Sequence, residues 1–363
     1  MRVNFHNIVK ENKSLSDILH KNLTENINHG QFILGPEVKK LERIFSKLIG
    51  VKYSVTVSNG TSALYLVLKY LKLKKNDEVI TVSNSYISST SVIALNNLKI
   101  KFVDVDEDLN INTNELKKKI TKKTKAIIAV HLTGNPTNMD EIIKIAKKRK
   151  IFVIEDAAQA IGAKYKHKMV GGLADFGCFS FHPLKNIGAL GDGGIITTNN
   201  KKFYSWAMMA RNNGHPNRDD CNFWSLNLRM DNLQASFIIS KLKKIKQINR
   251  KRLKLAKLYI KNLKNVVKKV PNISINSLGV FNLFIIRCKK RDKLKKYLQK
   301  NKIETKIHYP KPVHKMNVWK LNNYLPKTDQ YAKEILSLPI NHHLNIKKIN
   351  YVCKKIIEFY KFN

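Results

Sequence analysis

The sequence predicts an α/β protein in which a large domain, built on a mainly parallel sheet with helices on both faces, precedes a small α+β C-terminal domain. Two observations carry this. Short apolar runs alternate with longer stretches of helical apolar spacing as far as about Leu233. Beyond it, the texture changes to a heavily basic stretch with apolar residues at helical spacing. At 363 residues, 43% of them hydrophobic, the chain can fill one large core and a smaller one.

Tyr53–Gly60 (YSVTVSNG) reads as a strand entering a turn, and TSALYLVLKYLKL, from Thr61, reads as a helix. Asp77–Ser83, Lys99–Asp106, Lys125–Gly134 and Lys150–Gln159 read as further strands, and DFGCFSFH and GGIITTNN bring the strand-like runs to seven. In this rhythm the strands lie parallel, and ligands bind at their carboxyl ends. LQASFIISKLKKIKQINRKRLKLAKLYIKNLKN, from Leu233, reads as one long helix leaving the large domain. FNLFIIRC (a strand) and KLKKYLQKN (a helix) belong to the small domain. The expected division is 1–245 and 246–363.

Several function classes are disfavoured. No apolar run approaches the roughly 18 residues of a membrane helix, and MRVNFHNIVKENKS lacks the apolar centre of a secretory signal. A cytoplasmic protein is expected. Cys178, Cys221, Cys288 and Cys353 are far apart, with no CxxC or Cys/His spacing, so neither a metal site nor a disulfide framework is expected. The formal charge of +42, from 68 Lys+Arg against 26 Asp+Glu, would alone point to nucleic acid. The basic residues are mostly Lys and are spread through the chain, whereas bidentate phosphate and base recognition favours Arg. A positive field drawing in anionic substrates is the milder expectation.

The chemistry-bearing residues fall in four segments. Lys185 lies in SFHPLKNIGALGDGG, Ser180–Gly194, a glycine-rich loop between two strands. Asp156 ends the strand of IEDAAQAIGA. A carboxylate there would keep a pyridoxal ring's pyridine nitrogen protonated, so that the ring accepts electrons from a substrate carbon. The alternative for Asp156, taken alone, is a helix cap before AAQA. Gln159 follows one turn later. SNGTSAL, Ser58–Leu64, joins a strand to a helix start, where free N–H groups bind phosphate; Gly60, Thr61 and Ser62 are the candidates, with Ser180 as a further donor. Tyr86, in SNSYISS just after the Asp77–Ser83 strand, can stack on a ring.

Taken in order, these segments resemble the sugar aminotransferases called the DegT/DnrJ/EryC1/StrS family. The match begins with GQFILGPEVKKLE at Gly30–Glu42 and runs on through NDEVITVSNSYISS, IKFVDVD, VHLTGNPTNMD, FWSLNLRMDNLQA at Phe223–Ala235, IHYPKPVH at Ile307–His314 and LSLPI at Leu336–Ile340. The resemblance implies a transferase of fold type I that depends on pyridoxal 5′-phosphate (PLP). Lys185 would hold PLP as a Schiff base, Asp156 would pair with the pyridine nitrogen, Gln159 would contact the phenolic oxygen and Tyr86 would stack on the ring. Gly60, Thr61, Ser62 and Ser180 would hold the phosphate. Asn227 would reach the partner subunit's phosphate, which implies a homodimer with shared sites. His308, Tyr309 and His314 match a substrate-side loop. The implied reaction moves an amino group, from glutamate, to a nucleotide-linked keto-sugar.

Ser91 stands where many relatives that aminate C4 of the sugar carry Asn, and RNNGHPNRDD differs from their shorter loops, which bears on the ketone position and the sugar. Relatives that dehydrate sugars carry His at the lysine position, so Lys185 favours amino transfer. The alternatives are a cyclitol aminotransferase or a sugar dehydratase on the same scaffold, or a non-catalytic regulatory or nucleic-acid-binding protein. His182 reads as a structural neighbour of Lys185, and Arg229 as a structural ion-pair residue at least as readily as a substrate ligand.

Overall fold

The computed structural model describes residues 1–274, 276–318 and 323–362. Three helices come first, α1 (Ile8–Lys13), α2 (Ser16–His29) and α3 (Pro36–Ile49). Strands and helices then alternate: β1 (Tyr53–Val57), α4 (Gly60–Tyr70), β2 (Glu78–Val82), α5 (Ser88–Leu95), β3 (Lys99–Val103), α6 (Thr113–Lys119), β4 (Thr124–Val130), α7 (Met139–Arg149) and β5 (Phe152–Asp156). The short pair β6 (Lys164–Tyr165) and β7 (Lys168–Met169) leads to β8 (Phe176–Ser180), β9 (Gly194–Thr198) and α8 (Lys201–Ala210).

All seven predicted strands join one sheet, in the order β1-β9-β8-β5-β4-β2-β3. Only β9 runs against its neighbours, β1 and β8; every other pairing is parallel. β2, β8 and β9 are buried at every residue, which is why they read as continuous apolar or small-residue runs rather than as alternating ones. Parallel order puts the ends of β2, β5 and β8 on one edge, and β1 delivers its end there too. That edge carries the site.

The long helix expected from Leu233 is two helices, α9 (Asn232–Leu242) and α10 (Ile245–Leu263). α9 is buried along nearly its whole length and packs on α2 and α3, whereas α10 is amphipathic and packs on α13 (Ile346–Phe362). One straight rod could not serve both neighbours, so the backbone breaks at Lys243–Lys244. We take the division between the two units of the chain to fall there.

The remaining elements are β10 (Ser277–Leu278), β11 (Phe284–Arg287), α11 (Arg291–Lys300), α12 (Pro326–Glu334) and β12 (Ile335–Leu338). β11 and β12 pair antiparallel. β11 splits its alternating residues between two cores: Ile285 joins the core of the large sheet, while Phe284 and Ile286 join a second core with Tyr259, Leu298, Leu336 and Ile356. Val3 also belongs to that second core, bridging in parallel to Ile303. Among the described residues no helix is long and apolar enough to cross a membrane.

Candidate active site

At the carboxyl edge of the sheet a cleft of about 630 Å³ is walled by the β1–α4 turn, the segment after β2, the ends of β5 and β8, and the loop carrying Lys185. Asp156 closes β5, is 7% exposed, and points a half-satisfied carboxylate into the cleft. Ser89 Oγ donates to its Oδ2 at 2.7 Å and Ala158 N–H donates to its Oδ1 at 3.2 Å.

Lys185 faces the same space. The side chain is half-buried among the cleft walls. Burial lowers its pKa to about 8, against a weaker upward pull from Asp156. Among the described residues its amine has no hydrogen-bond or ion-pair partner. A carboxylate and an amine thus share a cleft without closing on each other.

The start of α4 forms the other pole. Asn59 Oδ1 caps the helix by accepting from Ser62 N–H at 2.8 Å, and Ala63 N–H is used by Asn59 O. That leaves the N–H groups of Gly60 and Thr61 as the orphans every helix start presents. A Cβ at Gly60 would lie 2.9 Å from Ser180 Cβ, so only glycine lets this turn close on the end of β8. Thr61 Oγ1 lies 2.7 Å from Ser88 Oγ, and Ser180 Oγ accepts from His182 N–H at 3.3 Å. Orphan N–H groups, a helix N-terminus and hydroxyls make an anion site. Together with a partnerless amine and a half-satisfied carboxylate, they fit the three poles of PLP: phosphate, aldehyde and pyridine nitrogen.

The other expected residues divide. Gln159 lines the cleft with its Oε1 accepting from Thr133 N–H at 2.8 Å. Tyr86 lines it at the rim, 61% exposed, 6.1 Å from the Tyr309 ring centre to centre. His308 and Tyr309 also line it. His308 Nδ1 lies 2.8 Å from Ser337 Oγ, and burial, then Lys306, holds its imidazole down to about 4. Burial pushes the Tyr309 phenol well above its usual range, with Gln159 as hydrogen-bond partner.

Ser62, Asn227 and His314 lie elsewhere. The Ser62 hydroxyl is buried against Ser58 Oγ (2.7 Å) and Asn59 Oδ1 (3.0 Å), so it braces the helix cap rather than facing a ligand. His314 is held between Ser83 Oγ (2.7 Å) and Asp329 (3.0 Å), 4% exposed and outside this chain's cleft. Asn227 bridges to Asn212, and its Oδ1 accepts from Arg229 Nε at 2.9 Å, outside this chain's cleft. Arg229 also donates to Asn212 Oδ1 at 3.0 Å; it orders a loop through hydrogen bonds to side-chain amide oxygens and forms no ion pair among the described residues. Ser91 directs its hydroxyl toward the Ser88 carbonyl at 3.5 Å and does not line the cleft. His182 lies at the exposed mouth, its pKa lowered by burial and by Lys185.

Three cleft residues carried no usable sequence signal. Ser89 sits in a run of similar hydroxyls, and only the fold shows which one meets Asp156. His6 arrives from the N-terminal segment, which is held down by Phe5 N–H donating to Glu304 at 3.0 Å. Asn282 comes from the turn before β11.

The DegT/DnrJ/EryC1/StrS aminotransferase family matches residues 14–357. The "Pleiotropic regulatory protein" of Geobacillus stearothermophilus is 35% identical over 99% of both chains. The "dTDP-3-amino-3,6-dideoxy-alpha-D-galactopyranose transaminase" of Aneurinibacillus thermoaerophilus is 36% identical over 91% of this chain and 92% of its own length. The crystal structure of S. venezuelae DesV in complex with a ketimine intermediate is similar at a TM-score of 0.96, with 30% identity and 99% of each chain covered. With the cleft's fit to PLP, these likenesses establish that the chain belongs to the DegT/DnrJ/EryC1/StrS aminotransferase family, PLP-dependent transferases of fold type I.

Proposed function

We propose that this aminotransferase moves an amino group from glutamate to a nucleotide-linked keto-sugar, yielding an amino sugar. The observation that carries the chemistry is the buried Lys185 amine set across one cleft from Asp156, with no ion pair between them. PLP, when bound, supplies the electron sink that lets a carbon beside nitrogen give up its proton. Lys185 Nζ anchors it and then takes and returns that proton. An amine with a pKa near 8 is suited to both, since at neutral pH it exchanges protons readily in each direction. Asp156 holds the proton on the ring nitrogen, and Ser89 fixes the carboxylate's orientation. The Gly60 and Thr61 N–H groups, with the Thr61 and Ser180 hydroxyls, hold the phosphate.

The sugar-nucleotide reading draws on the named activity of the Aneurinibacillus relative and on the charge. With 68 Lys+Arg against 26 Asp+Glu, the surface attracts a diphosphate. Asn227, outside its own chain's cleft, is available to complete a partner's phosphate site in a homodimer. The four free cysteines suit the reducing cytoplasm.

The test is direct. Enzyme in the amine-loaded form is offered a panel of dTDP-, UDP- and GDP-linked keto-sugars and a cyclitol ketone, and products are identified by mass spectrometry. Amination of at least one nucleotide sugar supports the reading; amination of the cyclitol alone overturns the substrate class. Release of ammonia and a deoxy-ketone would indicate a dehydratase instead. A regulatory role is the second reading, favoured by the name of the Geobacillus relative and by the net charge of +42. Salt-dependent DNA binding in a protein without transaminase activity would favour it.

A further inference from the structure

Away from the cleft, α1 packs near the loop that leads into α13. Among the described residues, this is the one place where three or more His, Cys, Asp or Glu side chains bring ligand atoms together: Glu11, His342 and His343, all within 4.8 Å of one another. They line a cavity of about 230 Å³ with Ser14, Lys241 and Gln247. His342 Nδ1 and His343 Nε2 are buried in the protein and have no hydrogen-bond partner. A buried nitrogen without a partner on each of two clustered rings is costly unless something joins it.

We propose that Glu11, His342 and His343 bind a divalent transition-metal ion of the zinc type, which clips the N-terminal segment to the body of the molecule. Two imidazole nitrogens and one carboxylate oxygen form a donor set that suits zinc, and the cavity leaves room for a water as fourth ligand.

The lysines nearby raise the opposite reading, an anion pocket. Glu11 argues against it: an anion touching both ring nitrogens would lie against the Glu11 carboxylate, within the same 4.8 Å. Lys241 Nζ lies 3.4 Å from Glu11 Oε1, but it also donates to Asn12 Oδ1 at 3.2 Å and keeps that partner if Glu11 turns to a metal. Lys244 and Lys251 are exposed, so solvent and salt weaken their opposition. The clip would act on a segment that matters, since Phe5 and His6 lie just ahead of α1 and His6 lines the cleft.

The experiment uses the full-length, PLP-loaded protein stripped with a chelator. Zinc is titrated by calorimetry, and melting temperature is followed with and without it. One tight equivalent per chain and a raised melting temperature are expected, both lost in the doubly substituted His342→Ala, His343→Ala protein. That protein should keep its circular dichroism and cofactor absorbance. If it does not fold, Glu11→Gln, a near-isosteric change, should weaken zinc binding alone. The proposal is overturned if the unaltered protein binds no zinc, if binding is unchanged by the substitutions, or if inorganic phosphate instead stabilises the protein through these residues.

Discussion

Two buried charged sites in this molecule are built to opposite plans. Arg211, at the end of α8, bonds Glu42 of α3, and its Nη1 also donates to Thr56 O (3.1 Å) and meets Thr56 Oγ1 (2.8 Å) on β1. Thr56 returns N–H and hydroxyl bonds to Glu42, each at 2.9 Å. The charges close on each other, with Arg211 Nε buried and without an acceptor among the described residues. In the cleft, Lys185 and Asp156 also combine opposite charge with burial, yet they stay apart. Water exclusion without mutual neutralisation costs stability, and a fold keeps such a site only where a ligand completes it. The first site holds α3, β1 and α8 together; the second has the residues that would hold a cofactor.

Substitutions should separate the two plans. Lys185→Ala should lower turnover by about 10⁴-fold or more while leaving the melting temperature of the cofactor-free protein little changed. Asp156→Asn should lower turnover by about 100-fold or more, because the ring nitrogen loses its proton partner, and full activity in steady-state assays would refute that role. Arg211→Met should do the reverse. Stranding Glu42 should cost about 3–5 kcal/mol in urea unfolding, and whatever protein remains folded should keep near-normal KM. Ser89→Ala should reduce kcat about tenfold, the loss of one hydrogen bond to a charged group, with rescue by Ser89→Thr; an equal loss in both variants would mean a packing role instead.

The pH dependence gives the finest distinction. Only the unprotonated amine captures the cofactor's aldehyde. An ordinary lysine, at 10.5, would still be gaining capture rate well above pH 9, whereas Lys185 at about 8 should gain rate as pH rises through 8 and then level off. Stopped-flow absorbance on cofactor-free protein would show which curve holds.

Much of this was legible in the chain. β2, β8 and β9 announce themselves because burial on both faces leaves uninterrupted runs, the other strands of the sheet keep shorter apolar stretches, and Lys185, Asp156 and Gly60 sit at strand ends or turns where few other residues would serve. The break between α9 and α10 was hidden because apolar spacing continues across Lys243–Lys244 while the packing partner changes. Where Ser62 and His314 turn was not legible, because type and spacing cannot say which way a side chain points: one hydroxyl braces a helix cap, and the imidazole lies against Ser83 and Asp329. Ser89 and Ser91 are indistinguishable in a run of hydroxyls until a helix turn sends one toward Asp156. His6 depends on contacts between opposite ends of the chain, as do Glu11, His342 and His343.

The most direct measurement is where the cofactor becomes attached. Enzyme incubated with PLP, reduced with borohydride and digested should carry the cofactor's added mass on the peptide containing Lys185, at one equivalent per chain. Modification on a different lysine, or none above the background of surface lysines, would contradict the assignment of Lys185 and of the cleft around it.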